Sequence, residues 1–250
     1  MKDEQNPSIS YDKSWSKPDT VKYFSSCRNS IDDVYDSEKH FIMHILKPDY
    51  SVLDIGCATG GFYNVFKHLE PTISYTGVDI SPEMIKKART LHPDISFHVS
   101  RGNELPFDDK SFDVVFCSGA LHMTFDWREV LKEGWRVTKK YFIFDVRLTE
   151  SNRTVENLQE SYEKIAFFDE WDGISIVPYI IINVNEFLHT LELLDPTPSL
   201  QQVYGYYHSV SEMTVSPEKE VCMTMCCLGK TKKPEEENKW EIPINISKKR

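Results

Sequence analysis

VLDIGCATGG, residues 52–61, predicts a buried strand that runs into a glycine-rich bend. The apolar residues that follow, from Phe62 to Leu69, recur with helical spacing and predict a helix that begins at about Gly60. The glycines lack side chains, and backbone N–H groups at a helix N-terminus favour negatively charged groups. The segment therefore predicts a ligand site between this strand and this helix.

Strands and helices alternate along the chain from residue 50 to residue 146. The helix after the second strand starts with Ser81 as its cap and Pro82 as its first residue, a combination typical of helix N-termini. Alternation of this kind favours parallel strands joined by right-handed crossovers, hence an α/β fold with a doubly wound sheet. The strands of this part are predicted at 50–55, 73–80, 95–99, 112–118 and 141–146, and the first of them leads into the bend.

The C-terminal part departs from this alternation. Two strands, 201–210 and 219–229, follow each other with too few residues between them for a helix, so they are expected to pair antiparallel. Residues 150–183 fit neither pattern and are expected to form a cap or insertion. Residues 1–36 are expected to be an N-terminal segment and possible lid, and the charged segment 230–250 a flexible tail. The domain itself is then expected over residues 37–229.

The composition of the chain limits the classes of partner and ligand that it is expected to bind. The net charge of −10 disfavours a nucleic-acid surface, which needs a basic field. The first ten residues have no apolar signal core, and no apolar run is long enough for a membrane helix, so a cytoplasmic protein without a membrane partner is expected. The six cysteines show no metal-binding spacing, and no metal site is predicted.

An acidic residue accompanies the bend. Asp79 ends the next predicted strand, 23 residues beyond Gly56, where a carboxylate can accept the hydroxyl groups of a ribose. The spacing of Gly56, Ala58 and Gly61 approximates the dinucleotide fingerprint, with alanine at its second glycine. From spacing alone, a dinucleotide and another ribose-containing ligand both remain open.

The same segment resembles the first motif of class I, Rossmann-like S-adenosylmethionine-dependent methyltransferases of the small-molecule type. The hydrophobic-Asp-x-Gly pattern runs from Val52 to Gly60, and Asp54 belongs to the methyltransferase motif but has no role in the dinucleotide one. RGNELPFDDKSFDVVFCSGALHM, residues 101–123, is similar to the third and fourth motifs of that family. The resemblance extends over about residues 37–229, least of all in 150–183. It implies a seven-stranded, mostly parallel sheet closed by the antiparallel C-terminal hairpin.

The resemblance implies S-adenosylmethionine as cofactor and S-adenosylhomocysteine as product. Asp54 would orient the cofactor's amino group, Asp79 would hold the ribose, and Ile80 would lie against the adenine. The full set of implied cofactor-binding residues is Asp54, Gly56, Cys57, Ala58, Gly60, Asp79, Ile80, Arg101, Gly102, Asn103 and Ser118.

Two positions depart from the family pattern. Ala58 replaces the middle glycine, which adds one methyl group. Arg101 stands where many relatives have an aspartate that receives the adenine amine, and a guanidinium cannot accept that proton. Ser100, Asn103 or a backbone carbonyl would then have to accept it.

The methyl acceptor is less well defined. Families that methylate exocyclic base or amide nitrogens carry a [DNS]-PP-[YF] motif after the fourth strand, whereas this chain has CSGALHM, which favours a small molecule. His122 is the predicted general base, since the ordinary imidazole pKa suits removal of a hydroxyl proton; a packing role is the alternative. His208 is a second candidate.

Residues 177–207 look similar to methyltransferases of surface-polysaccharide biosynthesis, which makes O-methylation of a sugar or other hydroxyl the expected subtype. Two rival functions remain: a non-catalytic S-adenosylmethionine-binding subunit or sensor, and an NAD-dependent oxidoreductase. The oligomeric state is left open.

Overall fold

A computed structural model describes residues 8–168, 170–232 and 237–244. The α-helices are α1 (Ser8–Trp15), α2 (Pro18–Phe24), α3 (Asp36–Ile45), α4 (Gly61–Leu69), α5 (Pro82–Leu91), α6 (Trp127–Val137) and α7 (Val184–Glu192). The strands are β1 (Ser51–Ile55), β2 (Ser74–Asp79), β3 (Ser96–Val99), β4 (Phe112–Cys117), β5 (Thr138–Thr149), β6 (Tyr162–Lys164), β7 (Ile176–Pro178), β8 (Ile182–Asn183), β9 (Leu200–Ser209), β10 (Thr214–Val215), β11 (Glu220–Gly229) and β12 (Lys239–Glu241).

The main sheet has the order β12-β9-β11-β5-β4-β1-β2-β3, with β8 paired to β5. Strands β1 to β5 are parallel, and β11 is antiparallel to both β5 and β9. The predicted α/β fold with an antiparallel C-terminal hairpin is therefore confirmed. Successive strands are added on one side of β1 up to β3 and then on its other side from β4 onward. At this switch point the carboxyl ends of the parallel strands β1 and β4 form the crevice where ligands bind in such folds.

The helices cover the sheet because their apolar faces match its two surfaces. One buried cluster joins Trp127 and Trp135 of α6 to Phe142 of β5, and a second joins Phe66 of α4 to Tyr75 of β2. The start of α5 is fixed as predicted, since the Ser81 hydroxyl accepts a hydrogen bond from the Met84 N–H at 3.2 Å. No helix in the described ranges has the length and apolar character needed to cross a membrane.

The sheet has two strands more than the expected seven, β8 and β12. The segment 230–250 was predicted to be a flexible tail, but residues Lys239–Glu241 pair in parallel with β9. Trp240 packs against the core and Ile244 is buried, so apolar burial holds this short strand in place. Residues 233–236 and 245–250 of the predicted tail lie outside the described residues.

A second, three-stranded sheet has the order β10-β6-β7 and takes two of its strands from residues 150–183. The N-terminal helices lie against it. The Ser14 hydroxyl donates to the Ile176 carbonyl at 3.2 Å, and the Tyr23 ring stacks on Phe167 at 4.0 Å between centroids. Lys17 forms an ion pair with Asp172. The small sheet and the N-terminal helices thus form one layer; the division of the chain into lid, domain and cap stays a prediction.

Candidate active site

The glycine bend between β1 and α4 adopts the backbone that its sequence predicts. Gly56 and Gly60 have φ values of +78° and +85°, a region that side chains disfavour. A Cβ atom at Gly56 would lie 2.8 Å from the Ala120 Cβ, so the residue after β1 must be glycine for the loop after β4 to approach. Ala58 has φ +48° and thus takes up a left-handed conformation with a side chain present.

The N–H groups of the bend are largely paired within the protein. Those of Gly56 and Cys57 donate to the Val78 carbonyl at 2.8 and 3.0 Å, and that of Gly60 donates to the Cys57 carbonyl at 2.8 Å. Cys57 is buried. The bend therefore offers a ligand close approach to bare backbone rather than a set of free donors.

Asp79 lies at the carboxyl end of β2, directly beside the bend. Its Oδ2 atom accepts from the Ala58 N–H at 2.9 Å and its Oδ1 atom from the Ser81 N–H at 2.8 Å. Burial raises the pKa of this carboxyl to about 6, against the opposing effect of the two N–H donors. Asp79 is therefore mainly ionised at neutral pH and keeps lone pairs for a further donor such as a ribose hydroxyl.

Asp54 is buried at the end of β1. The Tyr75 hydroxyl donates to its Oδ2 atom at 2.6 Å, and burial raises the pKa of the carboxyl to about 7. The Asp54 side chain thus holds its negative charge less readily than Asp79 does. A cation bound nearby, such as an ammonium group, would favour the ionised form.

Sequence reasoning missed the groups that close the bend from the other side. Arg28 donates to Glu38 at 2.8 Å and to the Ser118 hydroxyl at 3.1 Å, and Ser118 also donates to Glu38. Burial raises the pKa of Glu38. A Cβ atom at Gly61 would lie 2.7 Å from the Cys27 carbonyl oxygen, so the chain before α3 passes directly over the start of α4. No local pattern marks Arg28 or Glu38 as site residues.

The N-terminal helices are fastened to the same edge of the sheet. The Thr59 hydroxyl of the bend donates to the Phe24 carbonyl at 2.8 Å, and the Ser16 and Ser81 hydroxyl oxygens lie 2.9 Å apart. These contacts join α2 to the bend and the end of α1 to the start of α5. The role of the N-terminal segment as a lid remains a prediction.

An open cavity of ≈ 490 Å³ lies beside Asp79, between the carboxyl ends of β2 and β3 and helix α1. Arg101 reaches across it and forms an ion pair with Asp12 of α1. The Oδ1 atom of Asp12 is shielded from solvent and has no hydrogen-bond partner among the described residues. The lining residues are Asp12, Lys13, Ser16, Ile80, Pro82, Val99, Ser100 and Arg101.

The other residues of the loop after β3 are engaged in holding the loop. The Ser100 hydroxyl donates to the Glu104 carbonyl at 3.1 Å and accepts from the Gly102 N–H at 3.3 Å. Asn103 donates to Asp126 at 2.9 Å. Gly102 has φ +81° and packs against β1 and α6. Ile80 and Arg101 thus line the cavity, whereas Gly102 and Asn103 hold the loop after β3 in place.

His122 lies in a short 3-10 turn after β4 and its side chain is buried. Its Nε2 atom is 3.4 Å from Arg147 Nη2, and its Nδ1 atom is 4.0 Å from Asp145 Oδ2. Burial first and the Arg147 charge second lower the pKa of His122 to about 3, although Asp145 acts in the opposite direction. The imidazole is therefore neutral at neutral pH and is a weak proton acceptor, which argues against the predicted general-base role.

Arg147 and Asp145 of β5 form the charged centre of this cluster and were missed by sequence reasoning. Asp145 accepts from the Arg147 guanidinium at 2.5 Å and from the Gly119 N–H at 2.6 Å, and these donors lower the pKa of Asp145 despite its burial. Two buried atoms of this cluster have no hydrogen-bond partner among the described residues, His122 Nδ1 and Arg147 Nε. A charged residue in the buried run FDVRL was the available sequence signal.

His208, the second candidate base, lies elsewhere. It is exposed near the end of β9 and pairs in register with Val221 of β11. Strand β11 therefore lies between the strand of His208 and β5. No contact joins it to the His122 cluster in the described residues.

Comparison with known proteins identifies the central part of the chain. Residues 53–144 match the family model described as "Methyltransferase domain". A demethylmenaquinone methyltransferase from Chlorobaculum parvum is 35% identical over 88 residues, 35% of this chain and 36% of that protein. The matched region thus spans about a third of the length of such curated relatives.

Two longer matches concern the whole fold. An uncharacterized protein from Methanocaldococcus jannaschii is 26% identical and covers 81% of this chain and 88% of that protein. The crystal structure of an S-adenosylmethionine-dependent methyltransferase from Methanosarcina mazei covers 80% of this chain and 99% of that chain, with a TM-score of 0.55 and 19% identity. The second match shows the shared fold.

The residues present fit the cofactor that this family implies. Gly56 leaves bare backbone where a Cβ would collide, Asp79 offers carboxylate lone pairs at the end of β2, and Asp12, which lines the neighbouring cavity, has a buried oxygen without a partner among the described residues. Asp54, Gly60 and Ser118 surround the bend as predicted positions, and each role remains a prediction for its residue. Residues 53–144 of the chain therefore carry a methyltransferase domain.

Proposed function

We propose that the protein transfers a methyl group from S-adenosylmethionine to a hydroxyl oxygen of a small molecule, with a sugar as the first acceptor class to test. Bound S-adenosylmethionine supplies an electrophilic methyl group on a sulfonium. The protein's contribution to such a displacement is to orient the reactants and to exclude water. The bend, Asp79 and the N-terminal helices are placed for these two tasks.

The observation that carries the acceptor proposal is the pair of unpartnered atoms in the His122 cluster. Arg147 Nε–H is a donor in every protonation state. Because His122 Nε2 faces the Arg147 guanidinium, the neutral imidazole carries its proton on Nδ1, which makes Nδ1 a second donor. Two buried donors without a partner favour the presence of an acceptor oxygen at this cluster, because leaving them unpaired costs about 1–3 kcal/mol each.

These donors also explain how an oxygen nucleophile could react without a strong base. The Arg147 charge and the two N–H groups stabilise the oxyanion form of a bound hydroxyl, which lowers the pKa of that hydroxyl. The hydroxyl would lose its proton to solvent or to a carboxylate, and its oxygen would displace the sulfonium sulfur from the methyl carbon, so that the methyl–sulfur bond breaks and S-adenosylhomocysteine leaves. In this scheme His122 orients the nucleophile and does not take its proton.

The first test is thermal stabilisation by S-adenosylmethionine, S-adenosylhomocysteine and NAD, measured in parallel. A site-specific ligand at 100 times its Kd adds about 2.7 kcal/mol. We expect a shift with the two adenosyl compounds alone. Stabilisation by NAD alone would establish the oxidoreductase alternative instead.

The second test is methyl transfer from labelled S-adenosylmethionine to a panel that starts with sugars and continues with phenols and hydroxy acids. We expect an acid-stable O-methyl product that gains one methyl group by mass. Cofactor binding without transfer to any oxygen, nitrogen or carbon acceptor would favour the non-catalytic alternative.

A further inference from the structure

The cavity beside Asp79 is placed to take the base of the bound nucleoside. If Asp79 holds the ribose and the glycine bend holds the amino-acid part, the base must extend from the ribose away from the bend. The ≈ 490 Å³ cavity opens there, between Ile80, the loop after β3 and helix α1. This step rests on the proposed function.

Residues 100–103 of the loop after β3 supply no carboxylate for an exocyclic amine. Arg101 carries donors only, the Ser100 hydroxyl is engaged with its own loop, and the Asn103 amide donates to Asp126. The sequence predicted that Ser100, Asn103 or a backbone carbonyl would receive this amine. The structure adds a carboxylate that comes from a different part of the chain.

Asp12 of helix α1 is that carboxylate. One of its oxygens pairs with Arg101, and the other is shielded from solvent without a hydrogen-bond partner among the described residues. Asp12 lines the cavity, so a rotation of its side chain about χ1 and χ2 would turn the unpartnered oxygen toward a bound base while the other oxygen keeps the arginine. A neutral N–H donor from a ligand would satisfy the free oxygen without displacing Arg101.

We propose that Asp12, held by Arg101, accepts a hydrogen bond from the 6-amino group of the cofactor's adenine and so selects adenosyl over 6-oxopurine ligands. The arginine that replaces the usual acid then has a positioning role, since it fixes the carboxylate delivered by the N-terminal helix. Base recognition and attachment of that helix would thus depend on the same ion pair.

The test compares binding of S-adenosylhomocysteine with binding of S-inosylhomocysteine, which has a carbonyl in place of the 6-amino group. Isothermal titration of the full-length chain gives both Kd values without any methyl acceptor. We expect the wild-type protein to prefer the adenosyl compound by about 10- to 100-fold, because the analogue loses a charge-assisted hydrogen bond and sets its carbonyl against a carboxylate.

Three variants separate direct contact from attachment of the helix. Asp12→Ala is expected to bring the preference close to one. Asp12→Asn is expected to remove the preference as well but to bind both compounds more tightly than Asp12→Ala does, because the amide oxygen still accepts from the amine and the amide N–H can serve the carbonyl of the analogue. Lys17→Ala removes another ion pair of the N-terminal segment, with Asp172, and is expected to leave the preference at its wild-type value.

Several outcomes would overturn the assignment. Wild-type protein that binds both compounds equally has no acceptor for the amine. An Asp12→Ala variant that weakens both compounds alike, with the preference retained, would mean that Asp12 only anchors the helix. If the wild-type protein binds neither compound, the proposed function fails, and the assignment fails with it.

Discussion

The cofactor side and the acceptor side of the site are built in different ways. On the cofactor side, Asp79 and the bend belong to one strand–helix–strand unit and satisfy each other's hydrogen bonds. On the acceptor side, His122, Asp145 and Arg147 come from two elements and leave two polar atoms without partners in the described residues. A local unit can be recognised from spacing, whereas a site assembled across strands is specified by contacts that spacing does not encode.

Burial also acts in opposite directions on the two sides. It raises the pKa of Asp54 to about 7 and that of Asp79 to about 6, because the carboxylate form loses hydration. It lowers the pKa of His122 to about 3, because the imidazolium form loses hydration and faces Arg147. The same physical cause thus gives the two sides opposite responses to pH.

The largest effect is expected on the acceptor side, from Arg147→Met. Removal of the guanidinium leaves Asp145 buried without its charged partner, which should lower the free energy of unfolding by about 3–5 kcal/mol. Urea denaturation measures this loss.

A matched double variant, Asp145→Asn with Arg147→Met, should recover a substantial part of the loss, because no uncompensated charge then remains. If the double variant is destabilised by the sum of the single effects, the pair is not coupled and the charged centre does not exist as described.

The next effect concerns proton linkage. His122 is neutral in the fold down to about pH 3, but the unfolded chain takes up this proton below about 6.5, so His122 makes stability fall as pH drops through that window. Asp54 holds its proton in the fold up to about pH 7 but releases it near 3.8 when unfolded, so Asp54 makes stability fall as pH rises. Each contributes a slope of about 1.4 kcal/mol per pH unit in its window.

Two variants separate these contributions in unfolding measurements between about pH 4.5 and 6.5. Relative to wild type, His122→Gln should lose stability with rising pH, and Asp54→Asn should gain it. Parallel profiles for wild type and His122→Gln would show that the imidazole is not held neutral by the fold.

A smaller and more local effect is expected from Asp79→Ala. Loss of the carboxylate removes the proposed ribose contact and should weaken binding of S-adenosylhomocysteine by about 1–3 kcal/mol in titration calorimetry. Lys17→Ala serves as the control outside the site. Unchanged affinity in the Asp79 variant would remove this residue from the cofactor side.

The smallest effect is expected at Ala58. Its φ of +48° is unfavourable for a side chain, so Ala58→Gly should raise the free energy of unfolding by about 0.5 kcal/mol after the added entropy of glycine is subtracted. Ala88→Gly, inside helix α5, is the matched substitution at a regular position and should destabilise by about 1 kcal/mol or more. Destabilisation at both positions would mean that Ala58 is unstrained.

Long secondary-structure elements could be predicted from the sequence, whereas very short ones could not. The positions of the parallel strands along the chain, the Ser81 cap and the C-terminal hairpin follow from periodicity and turn length, and the structure confirms them. Strand β12 and the β10-β6-β7 sheet consist of two- and three-residue strands, too short to show a period. Their pairing depends on tertiary contacts.

The site shows the same division. Asp54 and Asp79 stand at fixed distances from a glycine bend and were predicted, whereas Asp12, Arg28 and Arg147 come from segments with no motif of their own. The pKa of His122 was taken as ordinary because sequence does not reveal burial beside an arginine. Residue type was predictable, but its electrostatic surroundings were not.

The short strand β12 has a consequence for handling the protein. It pairs with β9, a ten-residue strand with three tyrosines. It therefore occupies backbone N–H and C=O groups to which a strand of another chain could otherwise bind and so extend the sheet. The charged sequence of this C-terminal segment makes it a candidate for removal. A variant that ends before residue 237 would lack β12 and expose the edge of β9. Such a version is expected to self-associate through β9 while its distant cofactor crevice stays intact.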